Sequence, residues 1–180
     1  MVLFYLWWGY MIHLYIGNGK GKTTAALGLA VRAAGWGKKV FFSQFLKSTK
    51  TGEGIFLSKL DGIVFYRPYM RNQGFIWNMD AKAIEETKED LFKGLNKIKK
   101  LIKNEEYSVI VLDEILDVIE CGFLSEESVF EIINSKDAEF ILTGRNASDK
   151  LKDKADYITN MVKEKHPYDI GIHARKGIEY

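Results

Sequence analysis

The sequence is poor in the residues that build stapled or metal-clustered proteins. It holds 1 cysteine, Cys121, and 3 histidines, His13, His166 and His173. A single cysteine excludes an internal disulfide and a cysteine zinc cluster, and the scattered histidines lack the spacing that sets two ligands on one helix face. The lone thiol is expected to be buried or half-buried. With only 2 prolines, no proline-rich linker divides the chain, and no repeat or low-complexity tract does so. Charge of one sign is missing too. The 26 basic and 24 acidic residues leave a net charge of +2, which argues against a nucleic-acid partner. The densest basic run, Lys93, Lys97, Lys99, Lys100 and Lys103, follows the acids Glu85, Glu86, Glu89 and Asp90. Acid early and base late complements a helix dipole, so the segment reads as a solvated helix face. The apolar, aromatic stretch from Met1 to Ile16 falls short of the roughly 20 residues that span a bilayer, and it lacks the basic start and cleavage site of a secretory signal. A cytoplasmic protein with no membrane partner is expected. Residues 1–10 leave two alternatives open, an extension of the sheet edge or a start-site artefact with translation beginning at Met11.

What is present is an ordinary globular composition, 47% hydrophobic over 180 residues, which suits one domain spanning residues 1–180. Apolar stretches of strand length alternate with segments of helical period. Strands are predicted at Ile12–Ile16, Lys38–Gln44, Ile63–Tyr66, Tyr107–Leu112, Phe140–Thr143 and near Ala155–Met161. Helices are predicted from Lys22 to Ala34, through Phe56, Leu57 and Leu60, from Met79 to Asn104, and from a Ser125 cap to Ile133. The tail from Lys165 to Tyr180 reads as irregular. The pattern predicts an α/β fold of three layers, a P-loop NTPase (RecA-like) architecture with a largely parallel sheet of about six strands and helices on both faces.

The strongest motif is the turn Gly17-Asn18-Gly19-Lys20-Gly21-Lys22-Thr23-Thr24, set between a predicted strand and a predicted helix. Glycines let the backbone approach phosphate oxygens, backbone N–H groups and the helix N-terminus face the anion, Lys22 supplies a compact cation, and the Thr23 hydroxyl suits Mg²⁺. The usual G-x-x-x-x-G-K-[ST] spacing would need glycine at the position of Ile16, so this loop is one residue tighter. The partner acid belongs at the end of an apolar strand, where Val109-Ile110-Val111-Leu112 runs into Asp113 and Glu114 as a Walker B element. ATP binding is therefore assigned to residues 17–24, and metal binding to Thr23, Asp113 and Glu114. Arg145 follows the next strand and is a candidate phosphate contact with a surface ion pair as the alternative; Arg32, two to three turns into the first helix, is a weaker one. These residues alone lead to an NTP-using P-loop protein and leave a RecA-like ATPase, a small-molecule kinase or a non-catalytic carrier open.

The chain resembles the P-loop ATP:corrinoid adenosyltransferases. The resemblance is carried by residues 17–24, by Arg32-Ala33-Ala34-Gly35, Gln44-Phe45-Leu46-Lys47, Gly52-Glu53 and Gly74-Phe75-Ile76-Trp77, and by Leu112-Asp113-Glu114, Leu142-Thr143-Gly144-Arg145, His166-Pro167-Tyr168 and Gly177-Ile178-Glu179-Tyr180. The short P-loop is also that family's form. The resemblance implies transfer of the 5′-deoxyadenosyl group of ATP to the Co(I) of cob(I)alamin or cobyrinic acid diamide, with Mg²⁺, or Mn²⁺ in its place, and release of tripolyphosphate. It implies ATP lying reversed on the loop, with its γ-phosphate end held there and its 5′-carbon toward cobalt. No general base is then required, and Lys22 stabilises the leaving tripolyphosphate. The resemblance further implies that Phe75 and Trp77 lie against the corrin face and displace its lower ligand, that an electron donor such as a flavodoxin or flavin reductase supplies Co(I), and that the protein is a homodimer. Relatives often carry a long polar N-terminal segment that closes the partner's site, and this chain has a short aromatic stretch in its place.

Overall fold

The computed structural model describes residues 10–47, 49–72 and 79–180. The sequence expectations for Phe75 and Trp77, and for residues 1–9, lie outside the described residues. Among the described residues six strands form one parallel sheet in the order β3-β2-β4-β5-β1-β6, comprising β1 (Ile12–Ile16), β2 (Val40–Gln44), β3 (Ile63–Tyr66), β4 (Val109–Asp113), β5 (Glu139–Thr143) and β6 (Tyr157–Asn160). Every strand therefore ends at the same edge of the sheet, where β1 opens into the glycine turn and β4 delivers Asp113.

The period of 2 along each strand sorts its side chains onto two cores. Val40 and Phe42 of β2, with Val109 and Val111 of β4, face α1 (Lys22–Gly35) and α2 (Gly52–Leu57) through Ala26, Ala30 and Leu57. Phe41, Ile110, Leu112, Phe140 and Leu142 face the opposite layer, built from α3 (Ala81–Lys103), α4 (Ile115–Glu120), α5 (Glu126–Ile133) and α6 (Asp149–Lys154). Both faces of β2 and β4 are covered, which is why these strands read as continuous apolar runs. The helix α3 presents Leu91, Leu95, Ile98 and Ile102 to this core, on the stripe its sequence predicted. Its Asp80 cap accepts the Ala83 N–H, and Ser125 caps α5 by accepting the Ser128 N–H.

Outside the site, the structure differs from the sequence reading in four places. The helices α4 and α6 were not anticipated, because each has 6 residues, too few for a periodic pattern to emerge. Cys121 is exposed rather than buried, since it sits at the C-cap of α4 where the chain turns outward. The tail holds a short 3₁₀ turn at Pro167–Ile170, capped by His166 Nδ1, which accepts the Tyr168 N–H.

The fourth concerns Asp90, which is not part of a solvated acidic face. It is buried, and its carboxylate accepts the Arg71 backbone N–H at 2.8 Å and both the Nε and Nη2 groups of the Arg71 guanidinium. The Arg71 hydrogen bonds hold the Asp90 carboxyl below the usual carboxylate range. A depressed folded pKa contributes stability that is present above the ordinary aspartate pKa and lost as pH falls through the folded value. Thermal melts of wild-type and Asp90→Asn protein should therefore differ most at neutral pH and converge in acid. Curves that stay parallel down to pH 3 would show that this clamp adds nothing.

Candidate active site

The glycine loop is a backbone structure before it is a chemical one. Gly17 and Gly21 adopt φ of 112° and 115°, and Gly21 serves as the N-cap of α1, so the helix starts with its N–H groups aimed into the turn. The loop is tied from outside: the Gly17 N–H donates to Arg145 O at 2.9 Å, the Gly19 N–H to Met161 O at 2.7 Å, and Asn18 Oδ1 accepts the Lys163 N–H at 3.0 Å. From inside it is braced by Lys22, whose Nζ donates to Gly17 O at 2.6 Å and Gly19 O at 2.8 Å. Burial lowers the Lys22 pKa, and the nearby acids Asp117, Glu114 and Asp113 oppose that shift. A methyl group added at Gly19 would stand 2.6 Å from Met161 O and 2.8 Å from Val162 O. Gly19→Ala should force the loop off its β6 anchor and weaken nucleotide binding at least about tenfold, measured by calorimetric titration. Unchanged affinity would mean that the loop does not need this close approach.

The acid end of the site is equally built. Asp113, fully buried at the end of β4, accepts the Thr23 hydroxyl at 2.9 Å, the Thr143 hydroxyl at 2.7 Å and the Gln44 amide at 3.2 Å. Burial pushes its carboxyl upward, while these three donors pull it back. Thr143, at the end of β5, also accepts the Glu114 N–H at 2.8 Å. The structure thus brings Thr23 and Asp113 into contact and turns the Glu114 side chain elsewhere. Glu114 pairs with Lys47 at 2.8 Å, and its pKa is raised to about 7 by burial, against the pull of Lys47. Burial works against the charge on Lys47 as well, but Glu114 and its acidic neighbours outweigh it, and the Lys47 pKa is raised. Among the described residues the non-glycine positions with positive φ are Glu114 (63°), one member of this ion pair, and Leu46 (53°), the neighbour of its partner Lys47. Strain of this kind persists where surrounding contacts impose it, and it gathers at functional sites.

A hydroxyl and a buried carboxylate are hard oxygen donors, which suits Mg²⁺. Among the described residues there is no group of three or more His, Cys, Asp or Glu able to hold a metal by themselves. A divalent ion here would have to draw its remaining ligands from phosphate and water, which is the way Mg²⁺ is usually held. The residues fit that role.

Two cavities flank the loop. One, of about 530 Å³, runs over Lys22, Thr23 and Thr24 to Lys47, Glu53 and Glu114. The other, of about 740 Å³, reaches from Asn18 and Lys22 to Arg145, Lys163 and His166.

The sequence profile described as ATP:corrinoid adenosyltransferase BtuR/CobO/CobP matches residues 9–180. The chain belongs to this family. It is 32% identical to the corrinoid adenosyltransferase of Pseudomonas aeruginosa over 170 residues, covering 93% of this chain and 82% of that protein. It is 31% identical to the corrinoid adenosyltransferase of Escherichia coli K12 over 172 residues, covering 94% and 85%. A relative from Salmonella typhimurium named corrinoid adenosyltransferase CobA matches at 31% over the same shares, 94% and 85%.

In this member of the adenosyltransferase family, most of the sequence-predicted residues converge. Residues 17–24, Asp113 and Glu114 share the edge where the strands end, and Arg145 joins them through its carbonyl, its N–H held by Asp117 Oδ1 at 2.8 Å. Arg32 does not join them. It lies in the last turn of α1, in a groove with His13, Trp36 and Glu139 at the far end of the strands. Other residues stand in the site to which the sequence reading gave no role: Gln44, Lys47, Thr143 and residues 177–180 were quoted only as part of the resemblance, and Arg67 was not quoted. Gln44 and Thr143 each end an apolar strand with a polar, fully enclosed side chain, and that pattern was the signal available for them. Lys47, Arg67 and the returning tail had no such signal. The tail closes over the first cavity through residues 177–180, with Lys20 Nζ donating to Ile178 O at 3.3 Å.

Proposed function

We propose that this protein is an ATP:corrinoid adenosyltransferase that carries out its reaction by holding the polyphosphate of ATP on the Gly17–Thr24 loop. The observation that carries the reading is the loop braced by Lys22 and set against the Thr23–Asp113 pair, in a chain that matches the family from residue 9 to residue 180. The electron pair of Co(I) forms the bond to the 5′-carbon, the carbon–oxygen bond to the phosphate chain breaks, and tripolyphosphate leaves with that bond's electrons. No proton has to be removed, so the protein's work is alignment and charge stabilisation. The loop N–H groups and Lys22 face the developing negative charge of the leaving group. Thr23 and Asp113 would hold Mg²⁺ or Mn²⁺, which supplies further positive charge to the phosphates when bound, while Glu114, predicted from the sequence as a third ligand, is drawn to Lys47 instead. In this reading ATP lies with its γ-phosphate end on the loop and its 5′-carbon toward the corrinoid, and Arg145 stands beside the phosphate chain.

Phe75 and Trp77 are proposed to lie against the lower face of the corrin, where large apolar rings keep water and other donors off cobalt. Family resemblance supports this assignment, as it supports a homodimer and an electron donor such as a flavodoxin or flavin reductase. The corrinoid is cob(I)alamin or cobyrinic acid diamide. Dependence on ATP supports a cytoplasmic setting, and no described helix is long and apolar enough to cross a membrane.

An anaerobic assay with Co(I) corrinoid, ATP and Mg²⁺ tests the reading. The expected products are an adenosyl-cobalt species and tripolyphosphate; ADP and phosphate would favour an ATPase or kinase instead. Trp77→Ala should keep ATP binding and lose reduction of Co(II) by a weak donor. Retained reduction would return Trp77 to a packing role.

A further inference from the structure

Behind Asp113 stands a polar chain that neither the phosphate loop nor the acid pair accounts for. Gln44 is fully buried at the end of β2, and its amide N–H₂ donates to Asp113 Oδ2 at 3.2 Å and to Glu53 Oε1 at 2.8 Å. Its carbonyl oxygen accepts from the Thr51 hydroxyl at 3.3 Å and from Arg67 Nη2. All four hydrogen-bonding positions of the amide are thus used. A guanidinium offers donors and no acceptor, so the amide has one orientation available while Arg67 is in place: oxygen toward Arg67, nitrogen toward the two acids. Arg67 is itself fixed. It follows β3, donates to Thr51 Oγ1 at 3.0 Å and to Thr49 O, and stacks 5.6 Å from the Phe65 ring centre. Its Nε is buried with no partner among the described residues, so the group is sited for its two terminal nitrogens at the expense of the third.

We propose that Arg67 is a positioning residue for the divalent cation of the bound nucleotide: by fixing Gln44 it keeps an N–H donor on Asp113 Oδ2 and holds that carboxylate against Thr23. Without Arg67 the Gln44 carbonyl keeps only the Thr51 hydroxyl as a donor, and the amide is held from the acid side alone. The side chain can then swing off its line to Asp113 Oδ2, and the carboxylate would lose its support from the β2 side. Arg67 touches neither substrate nor metal in this account; it acts through its contact with Gln44, beside a longer-range attraction between its charge and Glu53, Glu114 and Asp113. The inference rests on the proposed reading of Thr23 and Asp113 as the nucleotide–cation site.

The test is a titration of Mg²⁺ into protein and ATP without corrinoid, so that no turnover occurs, paired with ATP binding in EDTA. Arg67→Met should raise the Mg²⁺ concentration at half-saturation about tenfold, the scale typical of partners that orient a metal ligand, and leave metal-free ATP affinity within about twofold. Gln44→Leu should show the same shift, and the double variant should be no worse than Gln44→Leu alone. Arg67→Lys keeps a cation of lower geometric precision and should move the midpoint in the same direction by a smaller factor; it carries the test if Arg67→Met does not fold. Metal-free affinity falling in parallel, or effects that add in the double variant, would overturn the proposal. Wild-type protein that binds ATP with no dependence on Mg²⁺ would instead overturn the reading of the site itself.

Discussion

Lys22→Met should lower adenosyl transfer about a thousandfold while leaving the protein folded. The expectation follows from the double role of one side chain. Its Nζ braces the loop through Gly17 O and Gly19 O, and in the proposed reading it also faces the leaving tripolyphosphate. Loss of a single preorganised charge-stabilising group typically costs about 10²–10³ in turnover, and here the loop that presents the N–H donors would loosen as well. Lys22→Arg should rescue little, because a planar fork cannot sit between two carbonyls in a turn shaped for a compact ammonium. The decisive measurement is single-turnover formation of the adenosyl-cobalt product with Co(I) supplied chemically, so that reduction does not limit the rate. A loss of less than about tenfold would remove Lys22 from the stabilisation of the leaving group.

The second large effect concerns Glu114 and pH. Its carboxyl is raised from 4.5 to about 7, chiefly by burial, so the folded protein holds that proton more tightly than the unfolded chain does. Stability from this group is therefore greatest below the unfolded value and declines as pH climbs through the window from 4.5 to about 7. A shift of this size corresponds to about 3 kcal/mol. Glu114→Gln removes the titration. The stability of the variant relative to wild type should rise by about 2–3 kcal/mol between pH 5 and pH 8, read from urea melts at each pH. The substitution also leaves Lys47 without its ion-pair partner, so the sign of the difference at pH 5 depends on that cost, and the change with pH is the diagnostic quantity. Parallel stability curves would mean that Glu114 does not carry its proton into the folded state. Stability given up at neutral pH to keep this acid in place, at a backbone φ of 63°, is the pattern expected where function and not packing has chosen the residue.

Much of the fold was legible because its determinants are local. Val109–Leu112 is a run of branched and long aliphatic side chains, and a strand covered on both faces can have no other composition. The stripe Leu91, Leu95, Ile98 and Ile102 has a helical period and ends near basic residues, so α3 announced its face and direction. The helices α4 and α6 were not visible, since six residues make too little of a periodic signal. Asp90 was misread for a related reason. Its neighbours in sequence are solvated acids, and only Arg71, brought against it from the segment before α3, makes its burial affordable.

The same division runs through the site. By themselves, the residues of the chain determined that a glycine-rich turn ending in Lys-Thr stands between a strand and a helix, and that an acid closes the apolar strand at 109–112. Both are short-range facts, fixed by glycine stereochemistry and by strand patterning. Tertiary structure alone decided which acid meets Thr23, which one is drawn to Lys47, and that Arg32 lies at the wrong end of the strands to join them. It also placed Gln44 and Arg67 behind Asp113 and laid the tail over the cavity. Those outcomes depend on strand order: β2 and β5 flank β4, so their last residues converge on its terminal acid, and the hydrogen bonds across that edge join side chains far apart in sequence whose pairing no local pattern encodes.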